Sequence, residues 1–203
     1  METQEIKSNL RKYYNQEAER RNSGEKQDWK VKLRYEFYRL AAQEHKKTLV
    51  ELGAGTGQDS QFFMDNGLEV VAVDLSGEMV KICKEKNINA YELDFYHLSK
   101  LNQTFDCCWA MNSLLHVPKS DLKTVLMGID AILNKSGIFF MGVYGGEDTE
   151  HHWTNDISTP RFFSFYSEST IKEILQDVFE IISFEHFIVG DNIDFQSVFL
   201  RKK

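Results

Sequence analysis

The sequence contains little proline and little cysteine, and it contains no long apolar run. Only two prolines, Pro118 and Pro160, occur in 203 residues, so no proline-rich linker divides the chain. The three cysteines show neither a disulfide framework nor the spacing of zinc ligands, which is typical of a reducing compartment. No stretch approaches the ~18 apolar residues of a membrane-spanning helix, and the first residues lack the apolar segment of a signal peptide. We therefore expect a cytoplasmic protein without a membrane partner.

Basic residues are also too few for a general binder of nucleic acid. The chain carries 24 Lys and Arg against 31 Asp and Glu, a net charge of −7, whereas phosphate binding needs clustered basic side chains. The charge is uneven, because residues 1–48 carry 12 basic and 8 acidic side chains. This basic part is interpreted either as a solvated amphipathic segment or as a cap that attracts an anionic substrate. We expect no nucleic-acid partner.

What the sequence does contain is an alternation of strand-like and helical segments. Apolar residues recur at helical spacing over residues 6–20 and 27–44. Short strand patterns then alternate with helices, which predicts an α/β fold with a mostly parallel sheet covered on both faces. The last two strands are too close in sequence for a crossover, so they are predicted to pair antiparallel. The predicted strands are 48–52, 69–73, 89–92, 105–111, 138–143, 181–189 and 195–200; the later helices are 59–65, 76–86, 120–133 and 169–178; residues 145–161 are predicted as a polar, aromatic loop.

The most informative segment is a strand that runs into three glycines at alternate positions, Gly53, Gly55 and Gly57. Glycine permits a tight turn and a close approach of the backbone to a ligand. The spacing is G-x-G-x-G and differs from the dinucleotide fingerprint G-x-G-x-x-G, because Gln58 takes the place of the third glycine. Glu51, two residues before the turn, favours a ligand with an ammonium or sulfonium group over a phosphate.

A carboxylate follows at the tip of the next predicted strand. Asp74, 17 residues after Gly57, is placed to accept hydrogen bonds from both hydroxyls of a ribose. The alternative is an ordinary strand–helix turn with a capping aspartate. Taken together, Glu51-Leu-Gly-Ala-Gly-Thr-Gly57 and Val71-Ala-Val-Asp74-Leu-Ser resemble the first two motifs of the class I S-adenosylmethionine-dependent methyltransferases.

The resemblance extends from Thr48 to the C-terminus, with looser motifs after the second strand. Glu92-Leu-Asp94-Phe95 resembles the third-strand motif of the family, and the segment from Phe105 to His116 resembles the fourth. The resemblance implies a Rossmann-like three-layer sandwich with a seven-stranded, mostly parallel sheet whose last strand is antiparallel. Residues 1–47 are then expected to form an N-terminal helical cap or lid, and residues 48–203 the methyltransferase domain.

The resemblance also implies a cofactor, S-adenosylmethionine, with S-adenosylhomocysteine as the product. It places the methionine end at Glu51 and the glycine turn, the ribose at Asp74, and the adenine amino group at Asp94. Leu75 and Met79 are candidates either for packing on the adenine or for the core, and Asp94 has the alternative role of capping a turn. The implied cofactor-binding residues are Glu51, Gly53, Ala54, Gly55, Gly57, Asp74, Leu75, Met79, Asp94, Phe95 and Asn112.

Methyl transfer from a sulfonium is an in-line displacement, which depends mainly on alignment and on the exclusion of water. His116 follows the fourth strand closely and is the candidate general base where the nucleophile must lose a proton. The alternative is a surface histidine before Pro118. No metal is expected, because the adjacent histidines at 151 and 152 match no zinc spacing. The candidate substrate-binding residues are Tyr14, Tyr144, His152 and Phe163.

The expected function is methyl transfer to an oxygen or nitrogen of a small molecule, by a monomer or homodimer. No Asn-Pro-Pro-Tyr-like element follows the fourth strand, which disfavours methylation of adenine or glutamine amides in the manner of those subfamilies. The alternatives are a cofactor-binding protein without catalytic activity and a methyltransferase that acts on RNA or protein. A nicotinamide-dependent oxidoreductase is a further alternative, which Gln58 and Glu51 disfavour.

Overall fold

The structure is a computed structural model that describes residues 3–154, 159–190 and 192–203. Two helices precede an alternation of strands and helices, and short 3₁₀ helices at Phe95–Leu101 and Leu114–His116 follow the third and fourth strands. The elements are α1 (Thr3–Asn22), α2 (Asp28–Gln43), β1 (Thr48–Leu52), α3 (Gln58–Asp65), β2 (Glu69–Asp74), α4 (Gly77–Glu85), β3 (Asn89–Glu92), β4 (Phe105–Met111), α5 (Lys119–Ile132), β5 (Leu133–Tyr144), β6 (Thr149–Trp153), β7 (Arg161–Phe165), α6 (Glu168–Gln176), β8 (Phe179–Val189) and β9 (Ile193–Lys202).

Seven strands form one sheet in the order β3-β2-β1-β4-β5-β9-β8. The first five strands in the chain pair in parallel, and β9 lies antiparallel between β5 and β8. This arrangement confirms the predicted mostly parallel sheet with an antiparallel last strand. Because parallel strands end at the same edge of a sheet, the turns after β1, β2, β3 and β4 lie side by side.

Helices cover both faces of the sheet, as predicted. Apolar residues of α5 and α6 pack on one face, and residues of α2 and α3 pack on the other. Phe37 of α2 is fully buried against the rings of Phe63, Trp109 and Phe140. α2 therefore shares the core of the sheet, and the division of the chain after residue 47 stays a prediction.

α1 lies across the carboxyl ends of the strands, where it contacts α4 and β7. Ile6 and Leu10 pack against Phe162 of β7, and Ala18 packs against Met79 and Ile82 of α4. This helix agrees with the expected N-terminal helix over the sheet. None of the helices in the described ranges is long and apolar enough to span a membrane.

The structure contradicts the loop that the sequence predicts over residues 145–161. Residues 149–153 form β6, which pairs antiparallel with β7, so that much of this segment is a β-hairpin. The side chains of β6 are mostly exposed and give no apolar alternation, whereas Phe162 and Phe163 of β7 are buried. Residues 155–158, within the predicted loop, and Asp191, within the predicted turn before β9, lie outside the described residues.

Candidate functional site

The glycine turn after β1 is packed tightly at two positions and is open at the third. All three glycines have a positive φ, of 73°, 55° and 78°, which is costly for other residues. A Cβ on Gly53 would lie 2.4 Å from Cβ of Ser113, and one on Gly57 would lie 2.5 Å from Cδ1 of Ile88. A Cβ on Gly55 would meet no atom within 4 Å. The backbone at Gly55 is therefore open to a ligand, between two positions that the fold restricts to glycine.

Asp74 connects this turn to the turn that follows β2. Its Oδ2 accepts a hydrogen bond from the backbone N–H of Gly55 at 2.8 Å, and its Oδ1 accepts one from the N–H of Ser76 at 2.8 Å. Burial raises the pKa of this carboxyl, although the two amides favour the ionised form. A carboxylate has about four acceptor positions. Asp74 is therefore held in place while it retains acceptor capacity for hydroxyl groups.

Glu51 lies buried at the end of β1, beneath the glycine turn. It accepts a hydrogen bond from the hydroxyl of Ser60 on α3. Burial, followed by repulsion from Asp59, raises the pKa of Glu51 to about 8. Asp59 is itself paired with Lys26 at 2.5 Å and with Arg34 at 3.0 Å. The carboxyl group of Glu51 is therefore biased toward its protonated form near neutral pH.

Replacing this acid, Glu51→Gln, is expected to change how stability depends on pH. Between about pH 4.5 and pH 8, Glu51 keeps its proton in the folded protein but loses it in the unfolded chain, where its pKa is 4.5. The wild type therefore loses stability between about pH 4.5 and pH 8, whereas the variant, which keeps an acceptor for Ser60, does not. We expect the free energy of unfolding of the variant relative to wild type to increase by about 1–3 kcal/mol from pH 5 to pH 8, measured by urea denaturation. The exposed Glu69→Gln is the control, and an equal response from both variants would contradict the assignment.

Asp94 follows β3 and has the capping role that the sequence left open. Its Oδ1 accepts a hydrogen bond of 3.0 Å from the backbone N–H of Tyr96, at the start of the 3₁₀ helix. The same oxygen lies 2.6 Å from Nδ1 of His97. Its Oδ2 pairs with Nζ of Lys7 on α1 at 3.0 Å. Burial alone would raise the pKa of Asp94, but the bonds from Lys7 and His97 lower it overall. A role toward adenine stays a prediction.

A cavity of about 40 Å³ lies between α1 and the ends of the strands. Leu75, Asp94 and Phe95, three of the residues expected around the adenine, line it together with Ile6 and Leu10 of α1. Met79 instead packs with Ala18 and Ile82 in the contact between α1 and α4, which corresponds to its alternative role in the core. The cavity is thus placed where the sequence predicts the adenine, and α1 covers it.

The residues after β4 carry two buried oxygens, and one of them, Ser113 Oγ, would lie 3.2 Å from a Cβ on Gly53. Asn112 has a φ of 53°, and its backbone N–H donates to the carbonyl of Gly142 at 2.8 Å. Among the described side chains, Asn112 Oδ1 and Ser113 Oγ are buried without a hydrogen-bond partner. Ser113 was not predicted from the sequence; only its position next to Asn112 pointed to it. Buried polar atoms without partners are costly unless a ligand satisfies them. These oxygens therefore fit a polar ligand beside Gly53, where the methionine end is expected.

His116 is half-buried and joins three parts of the fold. Its Nδ1 lies 2.7 Å from the carbonyl oxygen of Phe162, and its Nε2 lies 2.6 Å from the hydroxyl of Tyr14. Because a carbonyl can only accept, Nδ1 carries the proton and Nε2 accepts from Tyr14. Both ring nitrogens are therefore engaged within the fold, and desolvation lowers the pKa of His116 to about 4.

The Cε1 proton of His116 is expected to show no titration between pH 8 and pH 5.5 in NMR spectra. An imidazolium at this position would lose the acceptor role of Nε2 toward Tyr14 and would be only partly hydrated. The resonance is assigned by its absence in His116→Gln. A midpoint near 6.5 for that resonance would contradict the burial and bonding described for this side chain.

The predicted substrate residues fall into two groups. Tyr14 contacts His116, and Phe163 lies 4.8 Å from the His116 ring, measured between centroids. Tyr144 connects to this group through Phe165, whose ring centroid lies 6.4 Å from that of Tyr144 and 6.2 Å from that of Phe163. His152 is exposed on β6 and packs only beside Phe162 in the described contacts. The structure therefore brings Tyr14, Tyr144 and Phe163 together and leaves His152 at the surface.

Sequence reasoning missed the polar side chains by which α1 contacts the turns after β2 and β3. Nε of Arg11 donates to the carbonyl of Leu75 at 3.2 Å, and Oδ1 of Asn15 accepts from the hydroxyl of Ser76 at 2.6 Å. Lys7 pairs with Asp94 as described above. The basic composition of residues 1–48 was the only signal for these contacts. In the part of the chain that the structure describes, no group of three or more His, Cys, Asp or Glu side chains is arranged to hold a metal ion.

Part of the chain is similar to known methyltransferase sequences. Residues 49–137 match a family described as "Methyltransferase domain". Over 134 residues, 64% of this chain, the sequence is 30% identical to the malonyl-acyl-carrier-protein O-methyltransferase of Hamiltonella defensa. The match covers 51% of that relative, so the chain spans about half of its length.

Solved structures share the fold over almost the whole chain. One is the 1,6-didemethyltoxoflavin-N1-methyltransferase of Burkholderia thailandensis, solved with bound 1,6-didemethyltoxoflavin and S-adenosylhomocysteine. Its sequence is 19% identical to this chain, and the superposition has a TM-score of 0.76 and covers 100% of this chain and 91% of that protein. Another is the magnesium protoporphyrin IX methyltransferase of Synechocystis PCC 6803, solved with bound S-adenosylmethionine. Its sequence is 15% identical to this chain, and the superposition has a TM-score of 0.74 and covers 98% of this chain and 97% of that protein. At these identities the likeness shows that this chain has the same fold.

Proposed function

We propose that the chain is a class I S-adenosylmethionine-dependent methyltransferase that transfers a methyl group to an oxygen or nitrogen of a small molecule. Residues 49–137 match a methyltransferase domain, and the fold is that of the structural neighbours named above. The main support for this proposal is the hydrogen bond that joins the two sequence motifs assigned to the cofactor. Asp74 binds the amide of Gly55, so the ribose-binding acid and the open part of the glycine turn form one surface. The residues after β4 and β3 complete this surface on either side.

The residues present fit the cofactor of the family. We assign the methionine end to Glu51, the segment from Gly53 through Ala54 to Gly57, and Asn112, whose buried Oδ1 has no partner among the described residues. Asp74 is assigned to the ribose hydroxyls, and Leu75, Asp94 and Phe95 to the adenine. The cavity of about 40 Å³ beside these residues has room for about one water, so α1 must move to admit an adenine. When bound, S-adenosylmethionine supplies a methyl group activated by a positively charged sulfur.

The chain itself contributes alignment and the exclusion of water. α1 covers the ends of the strands, which keeps water from the reacting groups and fixes Tyr14 against His116. We propose His116 as the base where the acceptor carries a proton that it must lose. Nε2 is the only ring nitrogen that can take this proton, because Nδ1 donates to the carbonyl of Phe162. Tyr14 must therefore release Nε2 before His116 acts. The same movement must admit solvent or substrate to the ring, because a pKa of about 4 makes the enclosed His116 a weak base.

A small-molecule acceptor is supported by two observations. The two structural neighbours named above are named for 1,6-didemethyltoxoflavin and magnesium protoporphyrin IX, both small molecules. Tyr14 and Phe163 contact His116, and Tyr144 extends this group through Phe165, which gives the aromatic surface expected for such a ligand. A monomer or homodimer and a cytoplasmic location remain predictions from the sequence.

The proposal is tested by methyl transfer from radiolabelled S-adenosylmethionine. The full chain is incubated with the labelled cofactor and, separately, with the small-molecule, RNA and protein fractions of a cell extract. We expect label in the small-molecule fraction and none with Asp74→Ala. Label confined to RNA or protein would overturn the proposed acceptor class, and cofactor binding without transfer to any fraction would support the non-catalytic alternative.

A further inference from the structure

One side of α1 carries a row of three polar residues that bond to the turns at the ends of the strands. Lys7, Arg11 and Asn15 follow one another at a spacing of four, which places them on the same side of the helix. Lys7 pairs with Asp94 in the turn after β3 at 3.0 Å. Arg11 and Asn15 bond to the turn after β2, at 3.2 Å and 2.6 Å. This polar row therefore occupies the two turns to which the adenine and the ribose are assigned.

α1 and the cofactor need the same space. Ile6, Lys7 and Leu10 of α1 line the cavity beside Asp94, and its volume of about 40 Å³ has room for about one water. The ring system of an adenine is several times larger than a water molecule. The structure therefore describes α1 in a closed position, which an adenine cannot enter until the helix moves.

α1 and the cofactor also need the same oxygen atom of Asp94. Its Oδ1 is used within its own turn, by the backbone N–H of Tyr96 and by the ring of His97. Its Oδ2 accepts a hydrogen bond from the ammonium group of Lys7. A bond between two ionised groups is stronger than one from the neutral amino group of an adenine. The amino group therefore has to displace Lys7 from Oδ2 or enter beside it, in a cavity with room for one water.

Apolar contacts hold α1 less firmly than they hold α2. The first half of α1 buries Ile6 and Leu10 in a small cluster with Phe162, and Ala18 lies in a second small cluster near α4. α2 instead packs Phe37 into the large apolar cluster on one face of the sheet. An element with few buried apolar contacts opens more easily than the core. The polar row therefore contributes a large share of what keeps α1 closed.

The pair of Lys7 with Asp94 is the best shielded ion pair of this row. The two side chains are 13% and 17% exposed, whereas Arg11 and Glu92, which pair at 3.5 Å, are 47% and 50% exposed. Exposed pairs contribute little to stability, and salt screens a partly buried pair less than an exposed one. Lys7 is therefore the member of the row whose removal has the largest expected effect.

We propose that the polar row is an autoinhibitory contact, which holds α1 closed in the free protein and is broken when S-adenosylmethionine binds. Asp94 then exchanges the ammonium group of Lys7 for the amino group of the adenine. This inference rests on the proposed function and adds a regulation of its cofactor site. Lys7 and Arg11 thus use part of the basic N-terminal charge for contacts within the protein itself.

The closed population of α1 determines how tightly the cofactor binds. The apparent Kd equals the intrinsic Kd divided by the open fraction, so a variant that opens α1 binds the cofactor more tightly. Lys7→Met keeps the length of the side chain and removes its charge. We expect it to lower the Kd of S-adenosylhomocysteine by about threefold to tenfold. A helix that only holds the bound cofactor in place predicts the opposite sign, a higher Kd.

The test measures Kd by isothermal titration calorimetry and the opening of α1 by hydrogen exchange, both on the full chain. Lys12→Met is the matched control, because Lys12 is an exposed lysine of the same helix. Lys7→Met should speed exchange of the α1 amides in the free protein and lower the Kd, and Lys12→Met should change neither. Arg11→Gln combined with Asn15→Ala breaks the rest of the row and leaves Asp94 paired. This double variant should also speed exchange and lower the Kd by about threefold, and it decides the question alone if Lys7→Met fails to fold.

Failure of this inference and failure of the proposed function give different results. Absence of S-adenosylhomocysteine binding by the wild type would refute the proposed function. Where the wild type binds, an unchanged or higher Kd in either folded variant would overturn the autoinhibitory contact. A lower Kd without faster exchange in α1 would overturn it as well, because the gain would then come from the site and not from the opening of the helix.

Discussion

Asp74→Ala is expected to weaken binding of S-adenosylhomocysteine by about 100-fold or more. The carboxylate is assigned to both ribose hydroxyls, and a hydrogen bond to a charged group contributes about 1.5–3 kcal/mol. The substitution also removes the acceptors of the Gly55 and Ser76 amides, which loosens the two turns that shape the site. Isothermal titration calorimetry with the full chain measures the change in Kd.

The control for this variant is Asp65→Ala, at the exposed end of α3. It removes an aspartate of the same domain without touching either turn, and its Kd should match that of the wild type. Circular dichroism of Asp74→Ala confirms that the sheet is retained. A Kd within threefold of the wild type for folded Asp74→Ala would show that Asp74 does not bind the ribose.

Gly53→Ala is expected to lower the free energy of unfolding by about 2–4 kcal/mol. The added methyl group would lie 2.4 Å from Cβ of Ser113, and the φ of 73° is unfavourable for alanine. Overpacking of a buried position costs about 1–3 kcal/mol, and the left-handed conformation adds about 1–2 kcal/mol. Urea denaturation measures the loss, and an unchanged free energy of unfolding would contradict the packing described for this turn.

Two further variants separate the clash from the backbone strain. Gly53→Ala combined with Ser113→Gly removes the atom that the new methyl group meets, so part of the lost stability should return. Gly24→Ala adds a methyl group whose nearest neighbours are backbone oxygens at 3.6 and 3.7 Å, and the free energy of unfolding should change by no more than about 0.5 kcal/mol.

The parts of the fold that follow from short-range pattern were predicted well. The strand into Gly53, the carboxylate at Asp74 and the antiparallel β9 each depend on residues that are close in sequence. The hairpin of β6 and β7 was missed, because the exposed side chains of β6 carry no apolar alternation. The 3₁₀ helix after Asp94 was missed as well, since its cap is a single aspartate without a longer periodic pattern.

The contacts across the candidate site could not be predicted from sequence patterns. Lys7 and Asp94 are 87 residues apart in the chain, and Tyr14 and His116 are 102 apart. Their pairing depends on where α1 lies over the finished sheet, which no local propensity determines. The burial of His116 has the same origin, because its partners come from α1 and from Phe162 of the hairpin that the sequence did not reveal.

Binding of S-adenosylhomocysteine to the full chain, measured by calorimetry with NAD as a competitor, tests the central claim most directly. The glycine turn is hydrogen-bonded to Asp74 and follows the buried Glu51. This arrangement predicts that S-adenosylhomocysteine binds at one saturable site and that NAD does not compete with it. Absence of heat and of thermal stabilisation at millimolar S-adenosylhomocysteine, or its displacement by NAD, would contradict the assignment of this site to a methyltransferase.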